Sequence, residues 1–168
     1  VAGLSVLGYV GRLCARHGVE LVVPIQSATN FPMAQEVLKT SYTLEGKSEE
    51  FEAKSEEIVR WVPVQAALVA LGQSLKPAAN IMVGPFWHES VQIAEMYGRL
   101  GAVQIGGTAR LMQIPFFAGV CDMMLIGEEI FCVGAYLSRS TPMIGSLASE
   151  DWFKIAAIAV SILGIILA

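Results

Sequence analysis

Charge is scarce in this chain. Asp, Glu, Lys and Arg make up 15% of its 168 residues while 54% are hydrophobic, with a mean hydropathy of +0.57; an ordinary soluble domain carries about 25% charged residues. The basic residues are few and scattered and the net charge is −4, so no stripe runs along a phosphate backbone and no nucleic-acid partner is expected. Cysteine is limited to Cys14, Cys121 and Cys132, odd in number and set among apolar residues. Without CxxC or Cys/His spacing, neither a disulfide framework nor a zinc site is expected, and the three read as small core residues of a reducing compartment. HExxH, DxD, GxGxxG, a GKS/T loop and the G-x-S-x-G elbow are missing too. No metal is expected, no cofactor is assigned, and the residues do not decide whether the protein is an enzyme.

What is plentiful is apolar sequence, and it concentrates at the end. "DWFKIAAIAVSILGIILA" carries its last charge at Lys154 and shows no amphipathic pattern beyond it. At 1.5 Å per residue, 152–168 spans roughly 25 Å, against a hydrocarbon core of ~30 Å. The expectation is a transmembrane helix over 152–168, truncated at its C-terminus. Trp152 and Lys154 would mark its interface, and Ala157, Ser161 and Gly164 a small-residue stripe for close helix packing. Unpaired cysteines and Lys154 before the span place the preceding domain on the cytoplasmic side of the membrane.

Elsewhere, short apolar runs alternate with helical patterns. Helices are expected over "GLSVLGYVGRLCARHG", stopped by Gly18, over "NFPMAQEVLKTSYTLEG" with Asn30 as cap, and over "PVQAALVALGQSL", "HESVQIAEMYGRLG" and "EEIFCVGAYLSR". Strands are expected at "ELVVPIQS", "IVRWV", "AANIMVG", "AVQIGG" and "CDMMLIG". Residues 45–57 hold six of the fifteen acids and read as a solvated, mobile insertion, with a helical charged face as the alternative. The alternation predicts an α/β domain over 1–139: a mainly parallel, Rossmann-like sheet with helices on both faces in three layers, its first strand missing upstream. Residues 140–151 would be a linker to the membrane helix.

Taken together, "AGLSVLGYVGRL", "KPAANIMVG", "GAVQIGGTAR", "PFFAGVCDMMLIGEEIF" and "GSLASEDWFK" resemble an uncharacterised prokaryotic family of membrane-anchored proteins known only as a domain of unknown function. The resemblance implies a further N-terminal membrane segment and strand and a C-terminal span from Trp152 onward. It implies no activity, cofactor or catalytic residue.

In an open parallel sheet, ligands bind beyond the carboxyl ends of the strands. The candidates there are His88, Glu89 and Glu128 for proton transfer, and Gly106, Gly107, Thr108 and Arg110 for an anion. Each has a plainer reading: "GGTAR" as a tight turn, and the acids as partners of helix dipoles. Two functions follow. The first is a membrane-anchored domain that self-associates or scaffolds partners at the membrane face, with the lipid bilayer, further copies of itself or a membrane protein complex as partners. The alternative is an enzyme or small anionic-ligand binder that uses the sheet's carboxyl edge.

Overall fold

The computed structural model describes residues 2–87, 89–139 and 141–167. Its elements run α1 (Ala2–His17), β1 (Val23–Ile25), α2 (Asn30–Leu44), α3 (Ser48–Ile58), β2 (Val59–Trp61), α4 (Gln65–Leu75), β3 (Ala79–Val83), α5 (Glu89–Arg99), β4 (Val103–Thr108), α6 (Ile114–Val120), β5 (Met123–Ile126), α7 (Glu129–Ser138) and α8 (Thr141–Leu167). Local chemistry accounts for several ends. Gly18 leaves α1 with φ +65, where a residue without Cβ is not strained, and Arg16 and His17 sit in its last turn, where the helix dipole favours positive charge. Asn30 does not cap α2. It is the first helical residue, and Thr29 precedes it without a side-chain cap bond.

Two apolar cores form, one around each sheet. The first gathers Ala15 of α1, Ala34, Leu38 and Tyr42 of α2, Phe51 and Ile58 of α3 and Val59 of β2. Helices α1 and α2 approach closely because α1 presents glycine to α2: a Cβ on Gly11 would stand 2.5 Å from Leu38 Cδ2. At the same crossing the Ser41 hydroxyl donates to the Gly8 carbonyl at 3.0 Å. Glu45, at the end of α2, accepts from Arg12 and Arg16 at 3.0 Å each. The second core joins Leu68, Met82, Ile93, Ala94, Tyr97 and Phe117 from α4, β3, α5 and α6.

The single Rossmann-like, three-layer sheet expected from the sequence does not form. The strands pair in parallel but fall into two separate sheets, β1-β2 and β3-β4-β5, and the fold is mostly helical, at 66%. β1 and β2 have only three residues each. So short a ladder contributes few backbone bonds, and packing of the flanking helices organises this half instead. The charged stretch expected as a mobile insertion contains α3. Phe51, 4% exposed, anchors it with its ring centroid 5.4 Å from that of Tyr42, and with Ile58 at the helix end also buried, two large apolar residues dock an otherwise acidic helix.

The membrane expectations are overturned. No helix among the described residues is long and apolar enough to cross a membrane. The reason lies in α8, which begins at Thr141, runs straight through the expected linker, and carries Glu150, Asp151 and Lys154 along its length. Its uncharged part among the described residues, Ile155–Leu167, covers about 20 Å, against a hydrocarbon core of ~30 Å. The anchoring, and the cytoplasm-facing topology built on it, therefore have no supporting element among the described residues. Trp152 and Lys154 do not flank a span.

Candidate functional site

The carboxyl edge of β3-β4-β5 gathers the expected candidates, although His88 lies outside the described residues. Gly106 and Gly107 form no turn. Both are within β4, between β3 and β5 on either side, and neither has a positive φ. A Cβ on Gly106 would lie 2.4 Å from Phe117 Cδ1 and 2.7 Å from Cys121 Sγ, so this glycine lets α6 sit directly on the sheet. The neighbouring Gly107 points to the opposite face, where a Cβ would meet Leu125 and Val83 at 3.4 Å. Thr108 is 1% exposed, and its hydroxyl accepts from the Arg110 backbone N–H at 3.2 Å, which closes the turn that follows.

The Arg110 guanidinium lies over the Trp87 ring, 3.7 Å from its centroid, a cation–π contact that holds the β3 and β4 loops together. Beneath it, Ser90 Oγ lies between the Trp87 carbonyl at 2.8 Å and the Gln113 side-chain oxygen at 2.7 Å, donating to either. These side chains brace two loops against each other. The sequence reading missed the brace; a tryptophan three residues past the glycine that ends one strand and an arginine past the neighbouring strand were the available signal.

The two glutamates are likewise engaged. Glu89 accepts from the Trp87 backbone N–H at 3.1 Å, and Glu128 pairs with Lys154 of α8. The Lys154 ammonium also faces Glu150 at 3.5 Å and Asp151 at 3.7 Å, and its hydrogen bond to Glu128 raises its pKa above the ordinary lysine value. Burial raises the Cys121 thiol, with Asp122 adding to the effect, and burial alone raises Cys14. Neither is an activated nucleophile. Among the described residues, no group of three or more His, Cys, Asp or Glu side chains could hold a metal ion. Clefts of about 420 Å³, between α2 and α3, and about 330 Å³, between α4 and α5, are shallow and include none of these candidates.

The other conspicuous feature is α8. Its first turn packs against α7, where a Cβ on Gly134 would stand 3.3 Å from Met143 Cε. Lys154 then reaches Glu128 at the start of α7, level with the sheet's carboxyl edge. Every residue of α8 from Ile155 to Ile166 is exposed, including Ile158 at 60%, Leu163 at 57% and Ile165 at 78%. Ala157, Ser161 and Gly164 share one stripe. The Ser161 hydroxyl donates to the Ala157 carbonyl of its own helix at 2.8 Å, and nothing lies within 4 Å of a Cβ built on Gly164.

No curated protein and no solved structure matches the chain. One family model does, over residues 1–168, and by that match the chain belongs to the family described as a domain of unknown function, DUF6754.

Proposed function

We propose that the protein is a noncatalytic scaffold that self-associates through α8. The observation that carries this reading is the uncharged helical arm beginning at Ile155, held at its base by Lys154 and Glu128 and exposed from Ile155 to Ile166. Contiguous apolar surface on this scale marks an association site in soluble proteins, and burying each large aliphatic side chain contributes about 1.5–3 kcal/mol. An arm of this kind is driven to find a second apolar surface. At the carboxyl edge, by contrast, Thr108, Arg110, Glu89 and Glu128 all make contacts that stabilise loops and helix starts, which favours the scaffold over the enzyme.

The test is the native mass of the purified chain across concentration, beside Ile158→Asp. Placing a carboxylate on the arm penalises its burial without disturbing the domain from which it projects. A concentration-dependent dimer that the substitution abolishes supports the reading; a monomer in both proteins contradicts it.

A further inference from the structure

Helices α7 and α8 form an antiparallel hairpin. α7 ends at Ser138 and α8 starts at Thr141, with Arg139 at φ +51 closing α7 and its N–H donating to the Ala135 carbonyl at 2.9 Å. Pro142, at the second position of α8, keeps the two from running on as one helix, because its ring would clash with the carbonyl one turn earlier. Near the turn Met143 lies by Gly134, and its sulfur is 3.6 Å from the Ser138 hydroxyl. At the far end Lys154 reaches Glu128. Between these points the grip is slight. Of residues 141–166 only Met143 and Leu147 are partly buried, and the rest are exposed. Met143, Leu147 and Lys154 recur at helical spacing, so one face of α8 carries all three.

We propose that α8 is a releasable strap: the Lys154–Glu128 pair latches the hairpin, and when the latch opens α8 swings off α7 about the turn at Arg139 while the rest of the chain stays folded. This goes beyond self-association and does not depend on it. Both members of the latch keep company when it opens. The Glu128 side chain is 56% exposed and returns to water, while Lys154, 45% exposed, retains Glu150 at 3.5 Å and Asp151 at 3.7 Å on its own helix. Breaking a buried pair strands a charge; breaking this one strands none. The apolar part adds little resistance, since opening uncovers Met143, Leu147 and the surface of α7 around Gly134. By contrast, α1 could not leave α2 without exposing Leu38, which is wholly buried where Gly11 faces it. Release also frees Arg139 from a left-handed conformation that is costly for a residue with a Cβ. An exposed ion pair weakens as salt rises, so ionic strength, or a charged partner competing for Lys154 or Glu128, sets whether the strap is closed.

The experiment measures distances between nitroxides on Cys132 of α7 and on Ser149→Cys of α8, both exposed positions. Cys14 and Cys121 are replaced by alanine, and circular dichroism checks the fold. Dilution with unlabelled chain restricts the reading to distances within one copy, so the outcome is the same whether or not the protein self-associates. At about 0.05 M salt the closed distance should dominate, and at about 1 M, where charges are screened beyond roughly 3 Å, a longer distance should gain. The open-to-closed ratio is expected to rise roughly two- to fivefold. Lys154→Gln should show that rise already at low salt and then respond little to added salt. A single distance that is unchanged by salt and by Lys154→Gln overturns the latch, because apolar packing alone would then hold α8. An equal salt response in the native pair and in Lys154→Gln also contradicts it, as does a longer distance that appears only with loss of helical circular dichroism, which would be melting of α8 rather than its release.

Discussion

Gly106→Ala separates packing from anion binding at the glycine pair. The added methyl would stand 2.4 Å from Phe117 Cδ1 and 2.7 Å from Cys121 Sγ, where carbon atoms prefer about 3.5–4.0 Å. Relief requires a movement of roughly 1 Å, and Phe117 is poorly placed to provide it. The ring is 1% exposed and packs against Phe86 with centroids 5.6 Å apart, so α6 itself must shift. Overpacking of this kind costs about 1–3 kcal/mol, or about 2–12 °C in Tm for a chain of this size. At Gly107 the same methyl makes ordinary contacts at 3.4 Å, and the loss of backbone freedom in the unfolded chain offsets any small strain. Gly119→Ala, in α6 with nothing within 4 Å, is the control and should stabilise by up to about 1 kcal/mol. Thermal unfolding followed by circular dichroism reads all three. A Gly106→Ala protein that melts with the native chain, or one no less stable than Gly107→Ala, would refute the packing account.

Three further outcomes are expected. Hydrogen bonds from Arg16 and then Arg12 hold the Glu45 carboxyl below its ordinary 4.5, so its contribution is present above that value and lost as pH falls through the depressed one. The native chain should therefore lose more Tm than Glu45→Gln on acidification below about pH 4.5, and parallel pH profiles would contradict the clasp. Ser90→Ala removes the donor to the Trp87 carbonyl and Gln113 and should cost about 1–3 kcal/mol in chemical denaturation; a neutral result would mean that the loop brace contributes nothing. Arg110→Met lifts the cation from the Trp87 ring and should alter tryptophan fluorescence at a stability cost of about 0.5–1 kcal/mol, with an unchanged spectrum counting against the stacked geometry.

Local signals were legible where chemistry is local. Helical spacing closed by Gly18 located α1, and apolar runs between turn residues located β3, β4 and β5. Sheet extent was not, because pairing between strands depends on partners far along the chain: β2 ends at Trp61 and pairs with β1 alone, a limit that "IVRWV" does not display. The terminal helix misled for a different reason. Apolar sequence after Lys154 suggested a span, while helicity continuous from Thr141 through Glu150, Asp151 and Lys154 makes it a partly charged helix with a short apolar arm. The candidate site failed similarly. "GGTAR" contains the residue types of an anion loop, but the demand for glycine at position 106 comes from Phe117 and Cys121, eleven and fifteen residues later in the chain.

Sedimentation equilibrium of the native chain, with Ile158→Asp alongside, addresses the scaffold most directly. The account predicts a mass that rises with concentration toward twice the 18.0 kDa of one chain, and a variant that stays at the single-chain mass while its circular dichroism and Tm match the native protein. A native chain that sediments as one copy at every concentration, with its α8 arm left in water, would contradict the account.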